Sequence, residues 1–211
     1  MLKRSAVILA GGFSRRFGQN KGLIELSGKP LVLHVLDKAL HIVDEVVVVV
    51  SSDAQRRAFS CALHDEVDVT VDKYEKQSPL VGALTGFEKV RGKHSLLLPC
   101  DTPFITNRVL LLLLDLCINR NAAIPRWPNE YIEPFQATYH TQSALRAAET
   151  ALEEKKLDMQ SMILHMTRVR YISTLVLRQM DPKLLTFFNI NTPEDLKRAE
   201  SIYFSRNPRT G

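Results

Sequence analysis

The sequence predicts an α/β fold with a mostly parallel central sheet. Two short, continuous apolar runs, at 5–10 and 46–50, are typical of parallel strands that are buried on both faces. Between them, a stretch that begins at Pro30 repeats apolar residues at helical spacing. The resulting order of strand, loop, helix and strand is that of a parallel pair joined by a helical crossover.

The same alternation continues along the first half of the chain and loosens in the second. In the first half we expect helices near 54–63 and 80–90 and strands at 67–71 and 95–98. In the second half we expect a helix at 107–117, strands near 122–125 and 134–139, and a helix at 142–154. A last strand near 187–190 precedes Thr192, which is placed to cap a helix that starts at Pro193.

Length and composition limit the class of protein. With 211 residues, the chain is long enough for one well-buried core, and we expect a single domain over 1–205. Hydrophobic residues make up 45% and charged residues 24%, which excludes a disordered or fibrous chain. The longest apolar run, at 109–114, is far shorter than the roughly 20 residues of a membrane-spanning helix, and the first residues lack a signal sequence's features. We therefore expect a cytoplasmic protein without a membrane partner.

The formal net charge of +5 raises the alternative of a nucleic-acid-binding protein. The basic residues are spread along the chain, without a dense run or interleaved aromatic residues. This distribution favours a mildly basic surface that attracts phosphorylated small molecules, so no nucleic-acid partner is expected.

The loop at 11–21 has the composition of a phosphate-binding loop. It follows a buried strand directly and contains three glycines, so that backbone N–H groups can approach phosphate oxygens. Arg16 and Lys21 provide positive charge for a polyphosphate. The loop contains neither the glycine-lysine pattern of P-loops nor the spacing of dinucleotide-binding loops.

Polar residues follow the other predicted strands of the first half. Ser51, Asp72 and Asp101 each come directly after an apolar run, and such sheets bind ligands at the carboxyl ends of their strands. Asp101 stands between Pro99 and Pro103, and a rigidly held carboxylate at this edge suits Mg²⁺ that is shared with substrate phosphates.

Several motifs together resemble one family. Residues 9–21 read Leu-Ala-Gly-Gly-x-Ser-x-Arg-x-Gly-x-x-Lys, which is similar to the signature of Rossmann-like nucleotidyltransferases. With Pro-Cys-Asp-Thr-Pro at 99–103, Glu-Pro at 133–134 and Asn-Ile-Asn-Thr-Pro-Glu-Asp-Leu at 189–196, the chain most resembles the molybdenum cofactor guanylyltransferases, from about residue 6 to residue 200.

The resemblance implies a three-layer Rossmann-like nucleotidyltransferase fold, with a nucleotide-binding half at about 1–105 and an acceptor-binding half at about 106–205. It implies that Asp72 binds the nucleoside, that Asp101 binds Mg²⁺, and that Arg16, Lys21 and Asp101 are catalytic. The other implied contacts are with the nucleotide (Leu9, Ala10, Gly11, Gly12 and, at its phosphates, Lys21) and on the acceptor side (Asn191 and Thr192).

The implied reaction transfers GMP from GTP to molybdopterin and releases pyrophosphate, with possible transient contacts to other proteins of cofactor biosynthesis. The chain differs from the common family pattern at Asn20, Ser51 and Ser78. A cytidylyltransferase or sugar-1-phosphate nucleotidyltransferase of the same fold therefore remains an alternative, as does a non-catalytic nucleotide-binding module. Trp127 is interpreted either as a loop anchor or as a wall of the acceptor site.

Overall fold

The computed structural model describes residues 3–63, 67–74 and 78–206. Its strands follow one another in chain order as β1 (Arg4–Leu9), β2 (Phe13–Ser14), β3 (Gln19–Asn20), β4 (Glu25–Leu26), β5 (Lys29–Pro30), β6 (Glu45–Val50), β7 (Asp68–Val71), β8 (His94–Pro99), β9 (Ala122–Arg126), β10 (Ala137–His140) and β11 (Val169–Ser173). Its α-helices are α1 (Leu31–Leu40), α2 (Asp53–Ala62), α3 (Pro79–Lys89), α4 (Asn107–Leu116), α5 (Thr141–Glu153), α6 (Met159–Leu164), α7 (Thr174–Leu177) and α8 (Pro193–Arg206).

Seven of the strands that the structure describes form one sheet, in the order β11-β9-β10-β8-β1-β6-β7. β10 runs antiparallel to both of its neighbours, and every other pair in the sheet is parallel. The predicted α/β fold with a mostly parallel sheet is confirmed. The two-residue strands pair separately, β2 with β3 and β4 with β5.

Helices cover both faces of the sheet and make a three-layer molecule. Along β1, Val7 faces the core shared with α3, α5 and α6, whereas Ala6 and Ile8 face the core shared with α1, α2 and α4. Because the central strands are buried on both faces, their sequences are apolar without interruption, which is the pattern that made them visible in the sequence.

The α3 helix lies unusually close to the sheet because of a glycine. A side-chain carbon at Gly86 would lie 2.2 Å from a methyl carbon of Val7. This close approach holds the first turn of α3, at Pro79, beside the carboxyl end of β1, where the candidate site lies.

The expected strand near 187–190 is wrong. Leu185–Phe187 forms a 3-10 turn and residues 188–192 are irregular. Phe187 and Ile190 are buried because this segment packs over the sheet, with the Ile190 N–H donating to the Asp101 carbonyl at 3.0 Å. These residues are apolar because they are buried, although they make no hydrogen-bond ladder with a neighbouring strand.

Two further differences concern short elements. The strand expected from 134 begins only at Ala137, and α6 and β11 lie in a stretch for which no element was expected. The predicted start of α8 is confirmed, because Thr192 Oγ1 accepts from the Asp195 N–H at 3.1 Å. No helix in the described part of the chain is long and apolar enough to cross a membrane.

Candidate functional site

The carboxyl ends of β1, β6, β7 and β8 meet at one edge of the sheet, where two cavities adjoin. Leu9 is in register with both Val49 of β6 and Pro99 of β8, so the residues that follow these strands lie at the same level. Leu9, Gly12 and Pro79 line both cavities, which are therefore parts of one cleft.

The first, called here the β7-side cavity, has a volume of about 270 Å³. Its lining consists of strand ends and the start of α3: Leu9, Gly11, Gly12, Val49, Val50, Ser51, Asp72, Ser78, Pro79 and Gly82. The second, called here the β10-side cavity, has a volume of about 350 Å³. Beyond the three shared residues, it is lined by Lys21, Pro99, Cys100, Asp101, Tyr131, Glu133, Phe135, Gln136, Asn189 and Asn191.

Gly11 and Gly12 differ in what surrounds them. A side-chain carbon at Gly11 would lie 2.1 Å from Ser51 Oγ, whereas one at Gly12 would meet nothing within 4 Å. The Gly11 backbone is tied to β6, since its carbonyl accepts from Ser51 Oγ at 2.7 Å. Gly12 instead presents open space to the cleft, as a position that receives a ligand would.

Gln55, on α2, joins the loop to the sheet and was not predicted. Its side-chain oxygen accepts from the Ser51 N–H at 2.8 Å, and its amide nitrogen donates to the Gly11 carbonyl at 3.3 Å and to Asn20 Oδ1 at 3.0 Å. The residue is 8% exposed. A buried amide with three hydrogen bonds fixes the loop before any ligand binds.

Asp72 is held at the end of β7 by its neighbours. Its N–H donates to the Val50 carbonyl at 2.8 Å, and its Oδ1 accepts from Thr85 Oγ1 at 3.0 Å and from the Tyr74 N–H at 3.4 Å. Burial raises the pKa of this carboxyl above the usual aspartate value, and the hydrogen bonds oppose the shift. The carboxylate thus lines the β7-side cavity in a fixed position.

Lys21, Asp101 and Asn191 come together at the junction of the cavities. Lys21 Nζ forms an ion pair with Asp101 and donates to Asn191 Oδ1 at 2.6 Å. Hydrogen bonds of the backbone hold all three: the Lys21 N–H donates to the Gly12 carbonyl, the Ile190 N–H to the Asp101 carbonyl, and the Asn191 N–H to Asp195 Oδ2. The pair is largely buried, with Asp101 6% exposed.

The far wall of the β10-side cavity comes from the irregular segment before β10. Glu133 is half-buried, its Oε1 accepts from Trp127 Nε1 at 2.6 Å, and burial raises its pKa. Trp127 also packs edge-on against Phe187 and is not part of either cavity lining. Of the two interpretations of Trp127, the geometry therefore favours the loop anchor.

The family model of the MobA-like NTP transferase domain matches residues 6–169. The chain belongs to this family. A probable molybdenum cofactor guanylyltransferase of Methanosarcina mazei is 33% identical, covering 92% of this chain and 88% of that protein. A molybdenum cofactor guanylyltransferase of Desulfosudis oleivorans is 29% identical over 93% and 94% of the two chains. The crystal structure of molybdopterin-guanine dinucleotide biosynthesis protein A from Archaeoglobus fulgidus has a TM-score of 0.81 and 29% identity, covering 95% of this chain and 99% of that one.

This MobA-like chain is a nucleotidyltransferase, and its predicted site residues fall into two groups. Most line the cleft: Leu9, Gly11, Gly12, Lys21, Asp72, Asp101 and Asn191. Three do not. Ala10 is fully buried in the core, Thr192 caps α8, and Arg16 is exposed on the loop, with one nitrogen 3.4 Å from the Asn191 carbonyl oxygen.

Sequence reasoning missed the residues that hold the others in place. Thr85, which positions Asp72, and Gln55 are polar residues on helix faces that pack inward, which is the signal that could have indicated them. Gln136 and Tyr131 lie in irregular backbone, where spacing carries no comparable signal.

Nucleotidyltransferases of this family generally use a divalent metal ion. In the described part of the chain, no three His, Cys, Asp or Glu side chains form a metal cluster. The donors at the junction are the Asp101 carboxylate and the Asn191 side-chain oxygen. Oxygen ligands in this small number fit a metal ion that completes its coordination with substrate phosphates and water.

Proposed function

We propose that this protein transfers GMP from GTP to the terminal phosphate of molybdopterin, forming the guanine dinucleotide cofactor and releasing pyrophosphate. The observation that carries the proposal is the Lys21, Asp101 and Asn191 cluster at the junction of two cavities. A transferase needs two substrate sites whose reacting ends meet at a charged centre, and the cleft has this form. The names of the relatives specify the nucleotide and the acceptor.

The nucleotide occupies the β7-side cavity in this proposal. Asp72 binds the nucleoside, Leu9, Ala10, Gly11 and Gly12 line the nucleotide, and Lys21 contacts its phosphates. The open space at Gly12 supports this assignment, because a phosphate needs close approach to backbone N–H groups. Molybdopterin occupies the β10-side cavity, beside Asn191 and near Thr192. We propose that residues 1–205 work as one domain, with the nucleotide half at about 1–105 and the acceptor half at about 106–205.

The reaction forms a bond between an acceptor phosphate oxygen and the α-phosphorus of GTP. The bond from that phosphorus to the β-phosphate oxygen breaks, and its electron pair leaves with pyrophosphate. The attacking phosphate is ionised at neutral pH, so no general base is required. Lys21 and Arg16 stabilise charge on the polyphosphate, and the loop holds the reacting groups in place.

Mg²⁺, bound by Asp101 together with the substrate phosphates, supplies charge neutralisation at the transferred group. Lys21, now paired with Asp101, is in position to pair with phosphate oxygens when substrate binds. The protein works in the cytoplasm with GTP and molybdopterin as its small-molecule partners, without nucleic acid or membrane, and in transient contact with other proteins of cofactor biosynthesis.

The test is a pyrophosphate-release assay with Mg²⁺ and each of GTP, CTP, ATP and UTP, offered with molybdopterin or a sugar 1-phosphate. Release only with GTP and molybdopterin is expected. Release with another pair would contradict the substrate assignment while keeping the chemistry, and the cytidylyl or sugar-phosphate alternative would replace it. Nucleotide binding without any release would favour the non-catalytic module.

Asp101→Asn is the matching variant. Losing the carboxylate should lower kcat/KM at least about 100-fold, because charge stabilisation at the transferred group is lost. Asp115→Asn is the control, since Asp115 is an exposed aspartate that pairs with Arg4 away from the cleft. Equal activity of the two variants would refute the role of Asp101.

A further inference from the structure

Gln136 is a buried side chain that faces a cavity without a protein partner. It is 1% exposed and lines the β10-side cavity. Its side-chain amide makes no hydrogen bond with any described residue. Buried polar side chains are normally hydrogen-bonded, so an unpaired amide in a cavity wall calls for a ligand.

The amide is open to the cavity rather than sealed in the protein. In the described part of the chain, the fully enclosed side-chain polar atoms without a partner belong to Ser27, Asn107, Thr138 and Thr174. Gln136 is not in this group, so its small exposed area includes the amide. Tight packing cannot account for the residue, because its polar atoms meet the cavity instead of the core.

The surroundings of Gln136 suit a flat heterocycle with polar edges. Glu133 lies in the same wall, with one carboxylate oxygen bonded to Trp127 and further acceptor capacity. Tyr131 and Phe135 add two aromatic rings to the lining, and Tyr131 is 56% exposed. Aromatic rings beside hydrogen-bonding groups are typical of sites that bind ring systems.

We propose that Gln136 and Glu133 bind the amino-oxo edge of the pterin ring of the acceptor. The Glu133 carboxylate accepts from the 2-amino group and the ring N–H, and the Gln136 amide bonds the neighbouring ring oxygen. Gln136 is thus a specificity residue for the acceptor, remote from the transferred phosphate. This inference rests on the proposed function for the identity of the acceptor.

The test compares two ring systems as probes of the wild-type protein, 6-hydroxymethylpterin and 6-hydroxymethyllumazine. The lumazine carries an oxo group in place of the 2-amino group, so it lacks one of the two donors that Glu133 binds and keeps the ring N–H. Fluorescence titration should show the wild type binding the pterin about tenfold more tightly. Gln136→Met should bind both compounds about tenfold more weakly, because both carry the ring oxygen that Gln136 bonds, whereas in Glu133→Gln the preference for the pterin should disappear. Gln160→Met, at an exposed glutamine on α6, should keep it.

Kinetics provide the second measurement. Gln136→Met should raise KM for molybdopterin about tenfold, with kcat and the affinity for GTP unchanged within about twofold. Its melting temperature should equal or exceed that of the wild type, because the replaced amide has no protein partner. A merely structural glutamine would instead lower the melting temperature and leave the acceptor KM unchanged.

The outcomes separate this inference from the proposed function. If the wild type transfers GMP to molybdopterin but does not prefer the pterin, or if Gln136→Met binds both compounds as tightly as the wild type does, the inference is wrong and the function stands. If the wild type prefers the pterin but releases no pyrophosphate, the ring site stands and the function is wrong. If neither compound binds, the inference is overturned.

Discussion

Two buried glutamines, one on each side of the cleft, have opposite surroundings. Gln55 makes three hydrogen bonds, to Ser51, Gly11 and Asn20, whereas the amide of Gln136 makes none to the described residues. The protein therefore satisfies the hydrogen bonds of Gln55 itself, whereas in our proposal the amide of Gln136 is satisfied by a ligand. The first arrangement builds a preorganised site, and the second builds selectivity at a cost in stability.

The carboxylates repeat the comparison. The Asp72 carboxylate accepts hydrogen bonds from Thr85 and from the Tyr74 backbone. The Glu133 carboxylate has one hydrogen-bond partner among the described residues, Trp127. The β7-side cavity is lined mainly by the ends of regular strands, whereas much of the β10-side cavity is lined by irregular backbone before β10 and α8. Asp72 thus lies at the rigid edge of the sheet, whereas Glu133 and Gln136 lie in an irregular segment.

The largest effect should come from Gln55→Met. It leaves the Ser51 N–H and the Asn20 side-chain oxygen without their partner, which should lower the free energy of unfolding by about 1–3 kcal/mol. Urea unfolding measures this change, and GTP titration should show weaker binding because the loop loses its anchor.

The same substitution at Gln136 is the matched control, with the opposite expected sign. If Gln55→Met and Gln136→Met destabilise the protein equally, the distinction between a self-satisfied side and a ligand-satisfied side of the cleft fails.

Gly12→Ala should have an intermediate effect, confined to binding. The free protein has room for the added methyl group, so the melting temperature should stay within about a degree or two of wild type. A phosphate that approaches this backbone would meet the methyl group, and GTP affinity should fall about tenfold. Calorimetric titration with GTP is the measurement. Unchanged affinity would place the phosphates elsewhere in the cleft.

Asp72→Asn should change the free energy of unfolding only slightly, by an amount that depends on pH. Burial raises the pKa of Asp72, so the folded state binds its proton more tightly than the unfolded state does. Wild-type stability is therefore favoured at acid pH and declines as pH rises through the raised pKa. The asparagine side chain of the variant does not titrate. In urea unfolding, the stability of the variant relative to the wild type should therefore increase as pH rises from the ordinary aspartate pKa through the raised pKa of Asp72.

GTP binding gives the counterpart of this measurement, because the variant should bind nucleotide more weakly at pH 7 than the wild type. A difference in stability that does not change with pH would show that burial of the charged form is not the cause.

The strands of the first half of the chain, and the polar residues at their ends, could be predicted from the sequence because the signals are periodic and local. The β1, β6 and β8 strands each contain an uninterrupted apolar run, and glycine or aspartate soon after such a run lies at the ligand edge of a parallel sheet. The α/β fold and the family followed from these signals. The roles of Arg16, Lys21 and Asp101 remain predictions.

The residues that line the β10-side cavity could not be predicted to the same extent. Gln136 and Glu133 meet Asn191 only through tertiary packing of irregular segments, which no spacing rule encodes. The same limit produced the wrong strand near 187–190, since Phe187 and Ile190 are buried in two side-chain clusters rather than by pairing in the sheet. Sequence periodicity detects ladders and helices, and it does not detect a buried irregular segment.

The bond from Lys21 to Asn191 joins residues 170 positions apart, and it has a consequence for synthesis on the ribosome. The glycine loop and β1 emerge from the exit tunnel while Asn191 has not yet been translated. Contacts of such long sequence separation form late, after the entropy of closing the intervening chain has been overcome. The nascent chain therefore cannot assemble the junction of the two cavities until almost all of the described residues have been made.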